Sequence, residues 1–296
     1  MKENDKIIKV LAYDGKVSII CAKTTNLVEE ARKIHDLTPT TTAVLGRVLT
    51  MASIMGSELK NKEDNITIQI NGKGPVGKIV VVSNNNAKVK GYMQNPLVEL
   101  PLNNLGKIDV GGAVGRNGYI NIIKDIGLKD PYIGITPIVS GEIAEDFTKY
   151  FADSEQKPTA IALGVLVNKD GTKSSGGYRL NLMPDATEDI ITKLEENINK
   201  AGSISSMLSE NLSLEDIAKK VTGDNNLVIV ENNIEPQYEC DCSKEKFEKG
   251  LISLGKKELE NIIKEDDKIE TVCQFCNKKY VFNKKYIEEL LKEMRD

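Results

Sequence analysis

The sequence predicts an α+β protein in three parts: a largely antiparallel sheet domain with helices over residues 1–185, a helical linker over 186–236, and a small C-terminal module over 237–296. Three observations predict this. β-Branched runs punctuated by Gly, Asn and Pro follow one another closely through the first 185 residues, without the strict strand–helix alternation of a parallel sheet. Residues 186–236 then turn to short amphipathic helical text, with seven Asn between 197 and 233. Finally, 26 of the 57 residues from 240 to 296 are charged, about twice the density of the preceding chain, so this tail has little apolar material for a core.

Strands are expected at 7–12, 16–22, 66–70, 78–82, 87–93, 119–124, 132–139, 159–167 and 178–183, each a β-branched run bounded by turn residues. Ser83-Asn-Asn-Asn86 reads as the loop of a hairpin. Helical text occupies 26–35 and, more firmly, 40–60, where Val44, Val48, Met51, Met55 and Leu59 recur at spacings of three and four and share one helix face. Thr38-Pro39 supplies that helix with an N-cap and a first-turn proline. A further helix is expected over 142–151. In the linker, Ile190, Ile191, Leu194 and Ile198 suit one amphipathic helix, and Leu214, Ile217, Ala218 and Val221 suit another. Such short helices must dock on something to be stable. The same residues fit a marginal linker and a helical subdomain packed on the sheet.

Composition narrows the function. The net charge of −4 over 296 residues argues against a protein that lives on nucleic acid or on an anionic membrane. The N-terminal residues lack the apolar core of a signal peptide, and the longest strongly apolar stretch, 160–167, falls far short of the ~20 residues of a membrane helix. A cytoplasmic protein is therefore expected. In that reducing setting, cysteines serve more often as metal ligands or redox sensors than as permanent disulfides. A single histidine, His35, excludes a two-histidine metal site, and it has no partnered nucleophile in nearby sequence, so a capping or surface role is expected. No pair of carboxylates stands out as acid and base, and nothing argues for an enzyme.

The cysteines carry the chemistry. Cys240-Asp-Cys242 is separated by thirty residues from Cys273-Gln-Phe-Cys276. Two tight pairs joined by a loop are how a chain gathers four thiolates around one tetrahedral Zn²⁺. A structural zinc contributes an apparent ~10–16 kcal/mol to folding, which is what so charge-dense a module needs. The fifth cysteine, Cys21, sits in strand text and reads as a small buried hydrophobe. A purely structural zinc and a redox-sensitive one both fit the pattern, because zinc keeps sulfur in the oxidisable thiolate form. Four thiolates around Zn²⁺ are anionic, which disfavours a nucleic-acid contact. A thioredoxin-like role for Cys273 and Cys276 is disfavoured because that pair lies in a turn between two short strands, not at a helix start.

Two signals are weaker than they look. Gly250-Leu-Ile-Ser-Leu-Gly255-Lys256 matches the phosphate-cradling pattern G-x₄-G-K, but Lys257 stands where a Ser or Thr would hold Mg²⁺ and no strand precedes it, so a helix end and turn are expected. The glycines at 72, 74, 77, 111, 112 and 115 read as turn residues.

The C-x-C and C-x-x-C pairs together resemble the signature of the redox-regulated chaperones of the heat-shock protein 33 family. The resemblance extends through Ala31-Arg-Lys-Ile-His35-Asp-Leu-Thr-Pro-Thr40, Leu45-Gly-Arg-Val-Leu49, Gly74-Pro-Val-Gly77, Gly91-Tyr92, Ser154-Glu-Gln156-Lys-Pro158-Thr and Gly176-Gly-Tyr-Arg-Leu-Asn-Leu-Met-Pro184, and covers essentially the whole chain. It implies an ATP-independent holdase that is inactive when reduced, with one Zn²⁺ on Cys240, Cys242, Cys273 and Cys276. It further implies that oxidation joins Cys240 to Cys242 and Cys273 to Cys276, that zinc leaves, and that linker and module unfold to uncover apolar surface. Implied partners are unfolded or oxidatively damaged clients, a second copy in the activated state, and ATP-dependent foldases downstream. The alternatives are a constitutive zinc-stabilised binding protein and a thiol-disulfide oxidoreductase.

Overall fold

A computed structural model describes residues 4–293, which fall into two compact units, one running to Glu239 and the other beginning at Cys240. In the first unit the elements follow as β1 (Lys6–Ala12), β2 (Val17–Lys23), α1 (Thr25–His35), α2 (Pro39–Gly56), β3 (Asn65–Asn71), β4 (Ile79–Asn84), β5 (Lys88–Met93), α3 (Val110–Val114), β6 (Tyr119–Asp125) and β7 (Tyr132–Pro137). They continue as α4 (Ala144–Asp153), β8 (Thr159–Asn168), β9 (Gly171–Leu182), α5 (Glu188–Ala201), α6 (Ile204–Ser209), α7 (Leu214–Thr222), β10 (Val228–Ile234) and β11 (Gln237–Tyr238). All nine strands expected from the sequence are present within a few residues, except that β9 begins seven residues before its expected start. The α+β class therefore holds.

The strands form two sheets. The first has the order β10-β1-β2-β9-β8 and is antiparallel throughout; the second has the order β11-β5-β4-β3-β6-β7 and is antiparallel except for β11 on β5. Helix α2 differs from its expected one-sided form. Every residue from Thr40 to Gly56 except Arg47 is buried. The reason is tertiary: β2, β8 and β9 of the first sheet and β3, β4 and β5 of the second pack on it, and a helix between two sheets has no solvent face. Of its buried hydroxyls, Thr50 and Ser53 donate to its own backbone at the Gly46 (2.8 Å) and Leu49 (2.9 Å) carbonyls, while Thr41 donates to the Pro96 carbonyl (2.6 Å) and Thr40 accepts from the Leu100 N–H (3.2 Å). Gly46 is required by packing, since a Cβ there would lie 2.8 Å from Val28 and 2.9 Å from Val165. The N-cap is as expected: Thr38 Oγ1 accepts from Thr41 N–H at 3.2 Å and Pro39 occupies the first turn.

Helices α5, α6 and α7 lie docked on the outer face of the first sheet. Ile190, Leu194, Ile204, Met207, Ile217 and Val221 pack there against Ile8, Val10, Ile19, Cys21, Tyr178 and Leu180. Ser203 and Ser213 cap α6 and α7, and Gly223, with φ +74°, ends α7 in the left-handed region. An apolar groove of about 370 Å³ remains between α5 and the α4–β8 turn, lined by Pro158, Leu182, Ile191 and Ile198 among others. The Asn-rich text after α7 contains an unexpected strand, β10, which pairs with β1 in an irregular register and leaves Val228, Ile229 and Val230 exposed. Among the described residues no helix is long and apolar enough to cross a membrane.

The second unit contains α8 (Lys244–Ile252), α9 (Lys256–Glu265), β12 (Lys268–Val272), β13 (Lys279–Asn283) and α10 (Lys284–Glu293). Its apolar core is small: Leu251, Leu259, Ile263, Tyr280, Phe282, Ile287 and Leu290. The G-x₄-G-K text spans the end of α8 and the start of α9, with Gly255 at φ +86° between the helices, and no strand leads into it.

Candidate metal centre

The second cysteine pair is positioned by the β12–β13 hairpin. The Cys273 N–H donates to the Lys278 carbonyl (2.9 Å) and the Asn277 N–H to the Cys273 carbonyl (2.8 Å). Asn277 adopts φ +57°, which a short polar side chain tolerates. This turn places Cys273 and Cys276 together. The first pair lies in the extended stretch that ends at Ser243, whose hydroxyl accepts from the Lys246 N–H and caps α8. A tight turn holds the second pair, and a capped helix start follows the first.

Tertiary packing joins them. The four sulfurs of Cys240, Cys242, Cys273 and Cys276 all lie within 4.8 Å of one another. Cys240 Sγ is 3.7 Å from Cys273 Sγ, and Cys242 Sγ is 3.4 Å from Cys276 Sγ. Four sulfurs bound tetrahedrally at about 2.3 Å would stand about 3.8 Å apart, so the donor set has the size and chemistry for one metal ion of the zinc type. Among the described residues no other group of His, Cys, Asp and Glu side chains gathers in this way. Cys273 is buried and the other three are half-buried.

One residue of the site was missed by sequence reasoning. The Tyr280 hydroxyl lies 3.1 Å from Cys242 Sγ and 3.0 Å from the Cys242 carbonyl oxygen, with its ring 4.8 Å from that of Phe247. The available signal was an aromatic residue at an inward position of the strand after the C-x-x-C turn, but that pattern is also what any core strand shows. Burial pushes the thiols of Cys240 and Cys276 up. Burial acts upward on Cys242 too, but the Tyr280 hydroxyl and the neighbouring thiols outweigh it and hold Cys242 at about 7. A metal ion held by all four sulfurs would have to displace the protons of the thiols that burial raises.

The remaining singled-out residues lie in the first unit. Cys21 on β2 is fully buried under the α5–α7 layer, and burial pushes its thiol far above the usual range. It belongs to the core, as expected. His35, expected as a cap or surface residue, ends α1 half-buried with Nε2 3.0 Å from the Tyr238 hydroxyl.

Comparisons with known proteins agree on one family. The family described as "Hsp33 protein" matches residues 5–283. A 33 kDa chaperonin from Caldanaerobacter subterraneus subsp. tengcongensis is 47% identical over 98% of this chain and 98% of its own length. One from Clostridium tetani is 48% identical over 99% of each. The crystal structure of a 33 kDa chaperonin (heat shock protein 33 homolog) from Thermotoga maritima is similar with a TM-score of 0.90 at 39% identity, covering 98% of this chain and 99% of that one.

Proposed function

The chain belongs to the Hsp33 family of chaperones, and we propose that it is a cytoplasmic, ATP-independent holdase controlled by the redox state of its four clustered cysteines. The observation that carries this reading is the gathering of Cys240, Cys242, Cys273 and Cys276 within 4.8 Å in a unit whose apolar core is otherwise small. In the resting state these residues would hold one Zn²⁺, which when bound keeps the sulfurs as thiolates and staples the unit. No role in catalysis is assigned to any residue.

An oxidant acts on the thiolates. Each pair gives two electrons to one peroxide, an S–S bond forms, the O–O bond breaks, and the two oxygens leave as water with protons from solvent. The pairs proposed are Cys240–Cys242 and Cys273–Cys276. Once the sulfurs are bonded to each other, the donor set is gone and the unit loses its main source of stability.

In this reading residues 1–185 form the chaperone core, 186–236 a metastable linker and 237–296 the switch. The linker layer supports the division: undocking α5–α7 would bare Ile8, Val10, Ile19, Tyr178 and Leu180 on one sheet face. A contiguous apolar face of that kind is what an unfolding client's own exposed core would bind. Clients would be unfolded or oxidatively damaged proteins, held by an activated homodimer and passed to ATP-dependent foldases, with no role for nucleic acid or membrane.

The test measures zinc content, thiol connectivity by peptide mapping, and suppression of client aggregation before and after peroxide. Zinc release, near-neighbour disulfides and newly acquired suppression are expected. Equal suppression in both states would leave a constitutive binding protein, and rapid turnover on a model disulfide would favour an oxidoreductase.

A further inference from the structure

Residues 237–239 do more than lead into the first cysteine pair. The Gln237 N–H donates to the Ala87 carbonyl (3.3 Å) and the Glu239 N–H to the Val89 carbonyl (2.9 Å), so β11 is a short parallel strand on the β5 edge of the second sheet. Between them Tyr238 packs against the main core. Its hydroxyl takes both backbone groups of the next edge residue, donating to the Gly91 carbonyl (2.8 Å) and accepting from the Gly91 N–H (3.3 Å). His35 Nε2 lies 3.0 Å from the same oxygen. Lys88 bonds the Gln237 side chain and stands 3.7 Å from the Glu239 carboxylate.

Three residues therefore occupy at least four backbone groups of an edge strand, partly with a side chain acting as a strand would. Their hold is short, since β11 pairs through two residues while β5 pairs with β4 through five. The edge stays formed whether or not β11 is on it. When β11 leaves, the carbonyls of Ala87, Val89 and Gly91 and the N–H of Gly91 need new partners. Tyr238 is two residues from Cys240, so loss of order at the cysteines acts directly on the end of this short strand.

We infer that the β5 edge is a binding site for an extended segment of an unfolded polypeptide, and that Gln237-Tyr238-Glu239 is the chain's own placeholder in it. The occupant adds as a parallel strand, with main-chain hydrogen bonds supplying affinity and side-chain pockets supplying preference. The contacts of the placeholder define that preference: an aromatic residue seated at Gly91 and His35, followed by an acidic residue beside Lys88. This site rests on the chaperone reading above for its source of unfolded chain.

The experiment uses the full chain and a fluorescent nonapeptide carrying the sequence of residues 234–242 with serine at both cysteine positions. The reduced, zinc-loaded wild type should not bind it. Tyr238→Ala, which empties the aromatic seat, and the peroxide-treated wild type should each bind it saturably. An analogue peptide with alanine for its tyrosine should bind at least tenfold more weakly. Lys88→Glu in the Tyr238→Ala background should weaken binding severalfold, and a peptide with lysine in place of the glutamate after its tyrosine should restore it. Hydrogen exchange should show the Gly91 amide deprotected on release and protected again by peptide.

Absence of saturable binding in both released forms, or protection that falls elsewhere in the chain, would overturn the proposal. Aggregation suppression is read in the same samples. Suppression that saturating peptide does not reduce rejects the strand-addition site and leaves the chaperone reading standing. No suppression in any state rejects the chaperone reading, while the peptide titration still decides what the edge binds.

Discussion

The Tyr280 hydroxyl reaches both the sulfur and the carbonyl oxygen of Cys242, at 3.1 and 3.0 Å. One phenol on β13 thus orients the first cysteine pair from the strand that follows the second. Groups that orient metal ligands typically change metal affinity 10–100-fold when removed. Tyr280→Phe keeps the ring and its stacking on Phe247 and removes only the hydroxyl. Zinc affinity measured by chelator competition should fall about tenfold. Unchanged affinity would mean that the hydroxyl only packs.

The five thiols should separate into two classes. Cys21 is fully buried in the first unit with its thiol held protonated, while the other four share one cluster that could hold a metal ion. After zinc is removed by a chelator, alkylation followed by mass mapping should label Cys240, Cys242, Cys273 and Cys276. Cys21 should react only in denaturant. Labelling of Cys21 at the same rate as the others would show that the α5–α7 layer does not protect it.

Ile217 on α7 is fully buried against the first sheet. Ile217→Glu places a charge in that interface and should weaken docking by about 3 kcal/mol or more. Amides of 188–222 should exchange faster while the zinc content stays that of the wild type. If the linker layer covers the client surface, this variant suppresses aggregation without oxidant. Exposed helices with no gain in suppression would place the client surface elsewhere.

Asp5 gives a pH dependence of known sign. It is buried, accepts the N–H groups of Asn26 (3.0 Å) and Leu27 (2.7 Å) at the start of α1, and burial raises its carboxyl to about 6. The folded chain therefore binds this proton more tightly than the unfolded chain. Its contribution is most favourable below about pH 4 and is lost as pH climbs to about 6, by at most about 3 kcal/mol. Glu29 works in the opposite direction: a hydrogen bond from Arg32 holds it at about 2, so its stabilisation is present at neutral pH and is lost on going below about pH 4.5. The readout that isolates Asp5 is the difference between wild type and Asp5→Asn in chemical denaturation from pH 4 to 7. A difference that does not change with pH would show that Asp5 is not burdened by its burial.

Much of this was legible from residues alone because it rests on local rules. Strand text, the Thr38-Pro39 helix start, the β4–β5 hairpin and the C-x-x-C turn depend on neighbours within a few positions and are present, although the hairpin loop is 85–87 rather than 83–86, with Ser83 and Asn84 still in β4, and β9 begins seven residues early. Strand β10 was not legible, because Asn232 and Asn233 resemble linker text and only the open β1 edge makes Val228–Ile234 a strand. Tyr238 was not legible either, since its role depends on Gly91 and His35, residues 147 and 203 positions away in the chain.

The sequence by itself determined the α+β class, the two tight cysteine pairs whose spacing could gather four thiols, and the resemblance to one chaperone family. Residue type and spacing limit what four paired thiols and a charge-dense tail can do. Only the tertiary structure decided that α2 lies buried between two sheets, that α5–α7 are docked, that Tyr280 serves Cys242 and that residues 237–239 fill the β5 edge. Those outcomes rest on contacts between distant segments. Each forms because an apolar face or an unpaired backbone group must find a partner, and the chain's local pattern does not say which partner is within reach.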